Sequence, residues 1–188
     1  SVPEKTKKIF DAVFMGRLHP QKGVLELIDI WNLVIKRIPL GKLAIIGDGY
    51  LRDQVQDKIK RCGLEDNIVF FGYKFGQDKV EIFKSSKIIL HPAIYDSGGM
   101  SACEAMACGL PGISFDLQAL KRYYPKGMLK VRCFDLKEFS NTIIRLLSDE
   151  ILYNNLSAEA LALARGEWGW NVRARHIYNC IINENTIK

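Results

Sequence analysis

The stretch "GKLAIIGDGYLRDQVQDKIKRCGLEDNIVFFG" (Gly41–Gly72) reads as strand, helix, strand. "LAII" and "IVFF" are apolar without interruption, as strands covered on both faces are. Between them lies a charged helix, "YLRDQVQDKIKRCG", which Gly63 closes as a left-handed C-terminal cap. Two buried strands joined by a helix form a parallel crossover unit.

The same alternation extends in both directions. Upstream, "KIFDAVFMG" is a strand ending at Gly16, and "KGVLELIDIWNLVIKRIP" is a helix stopped at Pro39. Downstream, "QDKVEIFKSS" is a short helix, "KIILHPA" a strand, "GGMSACEAMACG" a helix of small residues and "PGISFD" a strand. "GMLKV" is a sixth strand, three stretches after Asp135 ("DLKEFSNTIIRLLSD", "EILYNNLSAEALALARGE" and "WGWNVRARHIYNCIINE") are helical, and Ser1–Lys8 and Asn183–Lys188 are polar ends. The expected class is α/β: a Rossmann-like, mostly parallel sheet with helices on both faces and a helical C-terminal end. No repeat or linker divides residues 1–188, so one domain is expected.

Composition narrows the function. The net charge of +6 admits anionic partners, but no basic run is interleaved with aromatics, which argues against nucleic acid. Five cysteines without a CxxC pair fit a reducing, cytoplasmic setting. Three scattered histidines show no metal spacing, so no metal is expected. No run is long or apolar enough to span a bilayer, and no signal peptide is evident. The first residue is Ser1, which suggests a piece of a longer chain.

In parallel sheets, ligands bind at the carboxyl ends of the strands. The first strand-end loop, "GRLHPQKG", places Arg17 and Lys22 at that mouth after Gly16. The pair reads as a phosphate grip or as two ordinary surface cations. The second loop, "GDGYLR" from Gly47, has a G-x-G but carries Arg52 where a dinucleotide fingerprint needs its third glycine. It reads as a weak nucleotide signal or as a turn needing glycine dihedrals.

The third loop, "YDSGGMSACEAMACGLP" (Tyr95–Pro111), carries two acids at a helix start. The N–H groups of Gly98, Gly99, Met100 and Ser101 offer an anion site there. Asp96 precedes the helix and is a credible cap. Glu104 lies one turn in, among residues so small that the helix is expected to be buried nearly all round. A buried carboxylate needs partners, and ligand hydroxyls would supply them.

Together these loops resemble the C-terminal half of retaining glycosyltransferases of the group 1, or family 4, type. That family pairs two Rossmann-like domains across a cleft, the GT-B architecture. Its pattern of GR, three residues and KG is similar to "GRLHPQKG". Its G-x-G turn and V-x-F-x-G segment are similar to "GDG" and "VFFG". Its acidic signature resembles Asp96, seven residues, Glu104 and "AMACGLP". The late "EWGWNVRARHIYNCI" resembles its closing helix, which crosses back towards the N-terminal domain.

The resemblance implies roles. Arg17 and Lys22 would hold a donor diphosphate and stabilise charge on it as the sugar leaves. Glu104 would bind ribose hydroxyls and Asp96 the transferred sugar. Backbone around Gly98, Gly99, Met100 and Ser101 would reach sugar and phosphates, and the Phe71–Gly72–Tyr73 turn would border the base. No cofactor is implied beyond the nucleotide-diphosphate sugar substrate, such as a UDP- or GDP-sugar. The acceptor, a glycan or lipid-linked molecule, would come through an N-terminal domain absent from this chain. The isolated chain would then be inactive, and the full-length enzyme would be cytoplasmic or peripheral at the inner membrane face.

Three departures stand out. Asp96 replaces a Glu, Gly98 stands where Phe is frequent, and "LQALKRYYPKG" lacks a Gly-Gly-x-x-Glu turn. They keep a nucleotide-sugar sensor or inactive scaffold as an alternative. An NAD-dependent dehydrogenase, resting on "GDG", is the other.

Overall fold

The computed structural model describes residues 7–185. Six strands form one parallel sheet: β1 (Phe10–Met15), β2 (Leu43–Ile46), β3 (Ile68–Gly72), β4 (Ser86–His91), β5 (Gly112–Phe115) and β6 (Met128–Val131). Their order is β3-β2-β1-β4-β5-β6. The order reverses between β1 and β4, which opens a crevice at their carboxyl ends.

The helices are α1 (Val24–Ile35), α2 (Arg52–Arg61), α3 (Gly76–Lys84), α4 (Met100–Ala107), α5 (Gln118–Tyr123), α6 (Leu136–Ser148), α7 (Glu150–Arg165) and α8 (Trp170–Asn185). Successive strand residues point to opposite faces, so each strand feeds two cores. Ala12, Phe14, Leu43, Ile45, Ile88 and Leu90 pack with α1, α2 and α6 on one face. Val13, Ala44, Ile46 and Ile89 pack with α3, α4 and α7 on the other.

The expected strands and long helices are all present. Gly63 has φ 65°, and the bond from Leu64 N–H to the Ile59 carbonyl completes the expected cap. Three details differ. The "IVFF" run is not covered on both faces: β3 is an edge strand and Val69 is exposed. α4 is not buried all round, since Ala102, Ala105 and Met106 face the core while Ala107 is exposed and Glu104 half-exposed. The stretch "LQALKRYYPKG" contains the short α5, whose buried contributions are Leu120 and the adjoining Tyr124. Six residues with one buried side chain carry almost no periodic signal.

Among the described residues, no helix is long and apolar enough to cross a membrane. Along residues 171–182, α8 is exposed.

Candidate functional site

Three strand ends are tied together at the mouth of the sheet. Gly16 N–H donates to the Ile46 carbonyl at 3.0 Å, and Gly47 N–H donates to the Gly72 carbonyl at 2.8 Å. Gly47 has φ 138°, and a Cβ there would lie 1.9 Å from the Gly16 carbonyl oxygen. The G-x-G turn is therefore a steric requirement of the sheet's end. Asp48 is paired with Arg52 at 2.8 Å, so this turn is held by its own side chains.

Beside it lies a cavity of about 210 Å³, bordered by Gly16, Arg17, Gly47, Tyr73, Phe75 and Lys79. Arg17 is exposed at its rim. Tyr73 and Phe75 are exposed and stack with ring centroids 5.4 Å apart, giving a flat aromatic surface. Phe71 turns its ring inward, edge-on to Phe10 at 5.6 Å, and is not among the residues that line the cavity.

Lys79 lies on α3 and pairs with Glu104 of α4 at 2.9 Å. Glu104 is thus a half-exposed acid with a lysine partner, not a buried one. Sequence reading missed Lys79, because nothing distinguishes it locally from the other lysines of a charged helix.

The second centre sits at the topological switch point. Lys22 closes a short 3-10 turn (Pro20–Lys22) after β1, and Asp96 lies in the loop after β4. Their ion pair is 2.5 Å long, and the Asp96 side chain is only 8% exposed. The other Asp96 oxygen, Oδ1, accepts from the N–H groups of Gly98 at 3.0 Å and Gly99 at 2.8 Å. Oδ2 also contacts His91 Nε2 at 3.1 Å. Asp96 therefore organises the turn before α4, and no side chain caps the first turn of α4 itself. The Gly98 and Gly99 N–H groups are already engaged, which leaves those of Met100 and Ser101 as the first helical donors.

Tyr124 fastens the same turn from the far side. Its hydroxyl donates to the carbonyl of Gly98 at 3.1 Å and Gly99 at 2.5 Å, and its ring packs on Trp168. Burial pushes the Tyr124 phenol well above its usual range. In this chain α5 and Tyr124 occupy the place where the expected Gly-Gly-x-x-Glu turn is missing.

Burial alone would raise the Asp96 carboxyl, but the bonds from His91, Lys22, Gly98 and Gly99 outweigh it and hold it well below the ordinary 3.8. A carboxyl lowered in the fold contributes stability above its unfolded value, and that stability is lost as pH falls below 3.8. Asp96→Asn is therefore expected to flatten the acid limb of a melting-temperature series run below about pH 4. An unchanged limb would assign acid sensitivity elsewhere.

Among the described residues, no cluster of His, Cys, Asp or Glu is arranged to hold a metal ion. The five cysteines are free.

Known proteins share this fold. The chain is 29% identical over 173 residues to the mannosylfructose-phosphate synthase of Agrobacterium fabrum, covering 87% of this chain and 38% of that enzyme. Its fold matches a Staphylococcus aureus TarM structure that holds UDP, with TM-score 0.77 and 22% identity over 85% of this chain and 33% of that one. It also matches the C-terminal domain of LpcC, a group 1 glycosyl transferase from Francisella tularensis, with TM-score 0.72 and 20% identity, covering 86% and 87%. The chain spans well under half of the enzyme relative it matches. The family model for glycosyl transferases group 1 matches residues 2–162, and the chain belongs to that family.

Proposed function

We propose that the chain is the donor-binding domain of a two-domain, retaining family 4 glycosyltransferase. The reaction would move a sugar from a nucleotide-diphosphate sugar to a glycan, lipid-linked or other acceptor. The observation that carries this reading is the set of charged residues gathered at the sheet's mouth. Arg17 and Lys79 border one cavity, Lys79 holds Glu104, and α4 joins Glu104 to the turn that Asp96 and Lys22 organise. Two acids, each paired with a lysine, thus lie at and along the start of α4, with Arg17 at the cavity that Lys79 also borders, a set suited to hydroxyls on both sides of a diphosphate.

In this reading the Tyr73–Phe75 surface and the Phe71–Gly72 backbone border the base. Glu104 accepts ribose hydroxyls. Arg17, Lys22 and the N–H groups of Met100 and Ser101 take the phosphates and stabilise the leaving diphosphate. Asp96 accepts a sugar hydroxyl, and Gly98 and Gly99 bring backbone close to it. A second domain supplies the acceptor site. The UDP held by the TarM structure and the C-terminal position of the LpcC domain support this assignment. The whole enzyme would work in the cytoplasm, with peripheral contact to the inner membrane face.

A thermal-shift panel of UDP, GDP, ADP and their sugars tests donor binding, because a ligand of the folded state raises stability by mass action. Glu104→Gln is expected to weaken nucleoside diphosphate itself. Asp96→Asn is expected to spare nucleoside diphosphate and weaken the sugar-bearing form. Equal losses for both forms in Asp96→Asn would limit Asp96 to organising the turn and remove it from the sugar.

The chain by itself is expected to bind donor and transfer nothing, because transfer requires donor and acceptor held together away from water. Incubation with its best nucleotide sugar and a set of acceptors checks this. Turnover of roughly 1 per second or faster would place the acceptor site within these residues.

A further inference from the structure

We propose that His91 is a positioning residue for the Asp96 carboxylate, keeping it directed at the donor sugar when Lys22 turns towards the diphosphate. The inference rests on the donor-site reading above. His91 is the last residue of β4 and is 2% exposed. Its backbone is fixed in the sheet opposite Ser114 of β5. Its ring nitrogen Nε2 lies 3.1 Å from Asp96 Oδ2.

A carboxylate has about four acceptor positions. In Asp96 four contacts fill them: two backbone N–H groups on Oδ1, and Lys22 with His91 on Oδ2. These partners differ in stiffness. Lys22 reaches Oδ2 from a turn on a four-carbon stem, is 24% exposed and carries three donors. It can swing to a phosphate oxygen. His91 is enclosed in the strand end and cannot follow. It stays as the fixed donor that holds Oδ2 in place once Lys22 is shared.

The aspartate makes this arrangement intelligible. Asp96 is one methylene shorter than glutamate, so its carboxylate is drawn back to the end of β4, within reach of the imidazole. Because an ionised carboxylate only accepts, His91 must carry its proton on Nε2. A neutral imidazole suffices.

The test compares UDP with UDP-glucose, and GDP with GDP-mannose, by calorimetry on the wild-type chain, His91→Leu and His91→Gln. The quantity read is the ratio of Kd for the sugar-bearing form to Kd for the diphosphate. His91→Leu is expected to shift that ratio on the order of tenfold against the sugar-bearing form, with diphosphate affinity unchanged. His91→Gln, whose amide N–H stands near the place of Nε2, is expected to restore most of it. If His91 only fills space, His91→Leu weakens both forms equally or neither, and glutamine rescues nothing; that result overturns the proposal.

A second measurement needs no variant to fold. Nitrogen-15 spectra of the wild-type imidazole are expected to show the Nε2–H tautomer, and an Nδ1–H tautomer overturns the proposal. Failure of all four nucleotides to bind the wild-type chain strikes the donor-site reading and this inference with it. Binding with an unchanged ratio in His91→Leu strikes the inference alone.

Discussion

Gly47→Ala is expected to lower the melting temperature by roughly 10 °C, a loss of about 3–5 kcal/mol. Two causes combine. The residue sits at φ 138°, which L side chains rarely adopt, and its new Cβ would stand 1.9 Å from the Gly16 carbonyl oxygen. That oxygen belongs to backbone, so relief requires the β1 and β2 ends to separate. Separation would also strain the bonds from Gly16 to Ile46 and from Gly47 to Gly72. Nucleotide affinity should fall with stability, since Gly16 and Gly47 both border the candidate base and phosphate cavity.

Gly63→Ala is the matched control. Gly63 is also left-handed, at φ 65°, but a Cβ there meets nothing within 4 Å. Only the backbone preference is lost, about 1 kcal/mol. Thermal melts of the two variants side by side check the argument. A Gly47→Ala shift no larger than that of Gly63→Ala would mean that the strand ends part easily.

Lys22→Ala is expected to weaken nucleoside diphosphate by roughly 1.5–3 kcal/mol, tenfold or more, while nucleoside affinity stays nearly unchanged. The lost interaction is a charge-assisted bond to phosphate, so the wild-type chain should also bind more weakly as salt rises. A second effect follows from the structure. Lys22 is the cationic partner of a side chain that is 8% exposed, so its removal leaves Asp96 Oδ2 with His91 alone. A modest loss of thermal stability is therefore expected beside the binding loss. Titrations of nucleoside and nucleoside diphosphate decide the matter, and equal losses for the two would remove Lys22 from the diphosphate site.

Much of this architecture was legible because its signals are local. The "LAII" run, the amphipathic helix after "GRLHPQKG" and the Gly63 cap each depend on a few adjacent residues. The exposure of Val69 was not legible, since an apolar run does not say whether its strand lies at an edge. The two acids could be found because carboxylates among small residues are conspicuous. Their partners could not. Lys79 meets Glu104 from 25 residues away, and Lys22 meets Asp96 from 74 away, so only the folded sheet brings them together. In the sequence His91 is one of three scattered histidines for the same reason: its significance lies in the direction of its ring at a strand end. Tyr124 was hidden by an unfamiliar loop, although its hydroxyl holds the turn that the acids surround.

The strand order also sets a timetable for the growing chain. β1 lies inside the sheet, and Phe10 pairs with Ser86 of β4. β2 and β3 are both synthesised before that partner. A three-strand half can therefore assemble on one side of β1 while the other side keeps unpaired backbone donors and acceptors. At roughly 5–20 residues per second, the wait from the end of β3 at Gly72 to the start of β4 at Ser86 lasts on the order of 1–3 s. During that interval an apolar strand meant for the interior presents an open edge, the feature that mature sheets take care to cover. Folding of this domain should therefore be most prone to misassociation while it is half made, and a ribosome-bound holdase acting in that window would protect it.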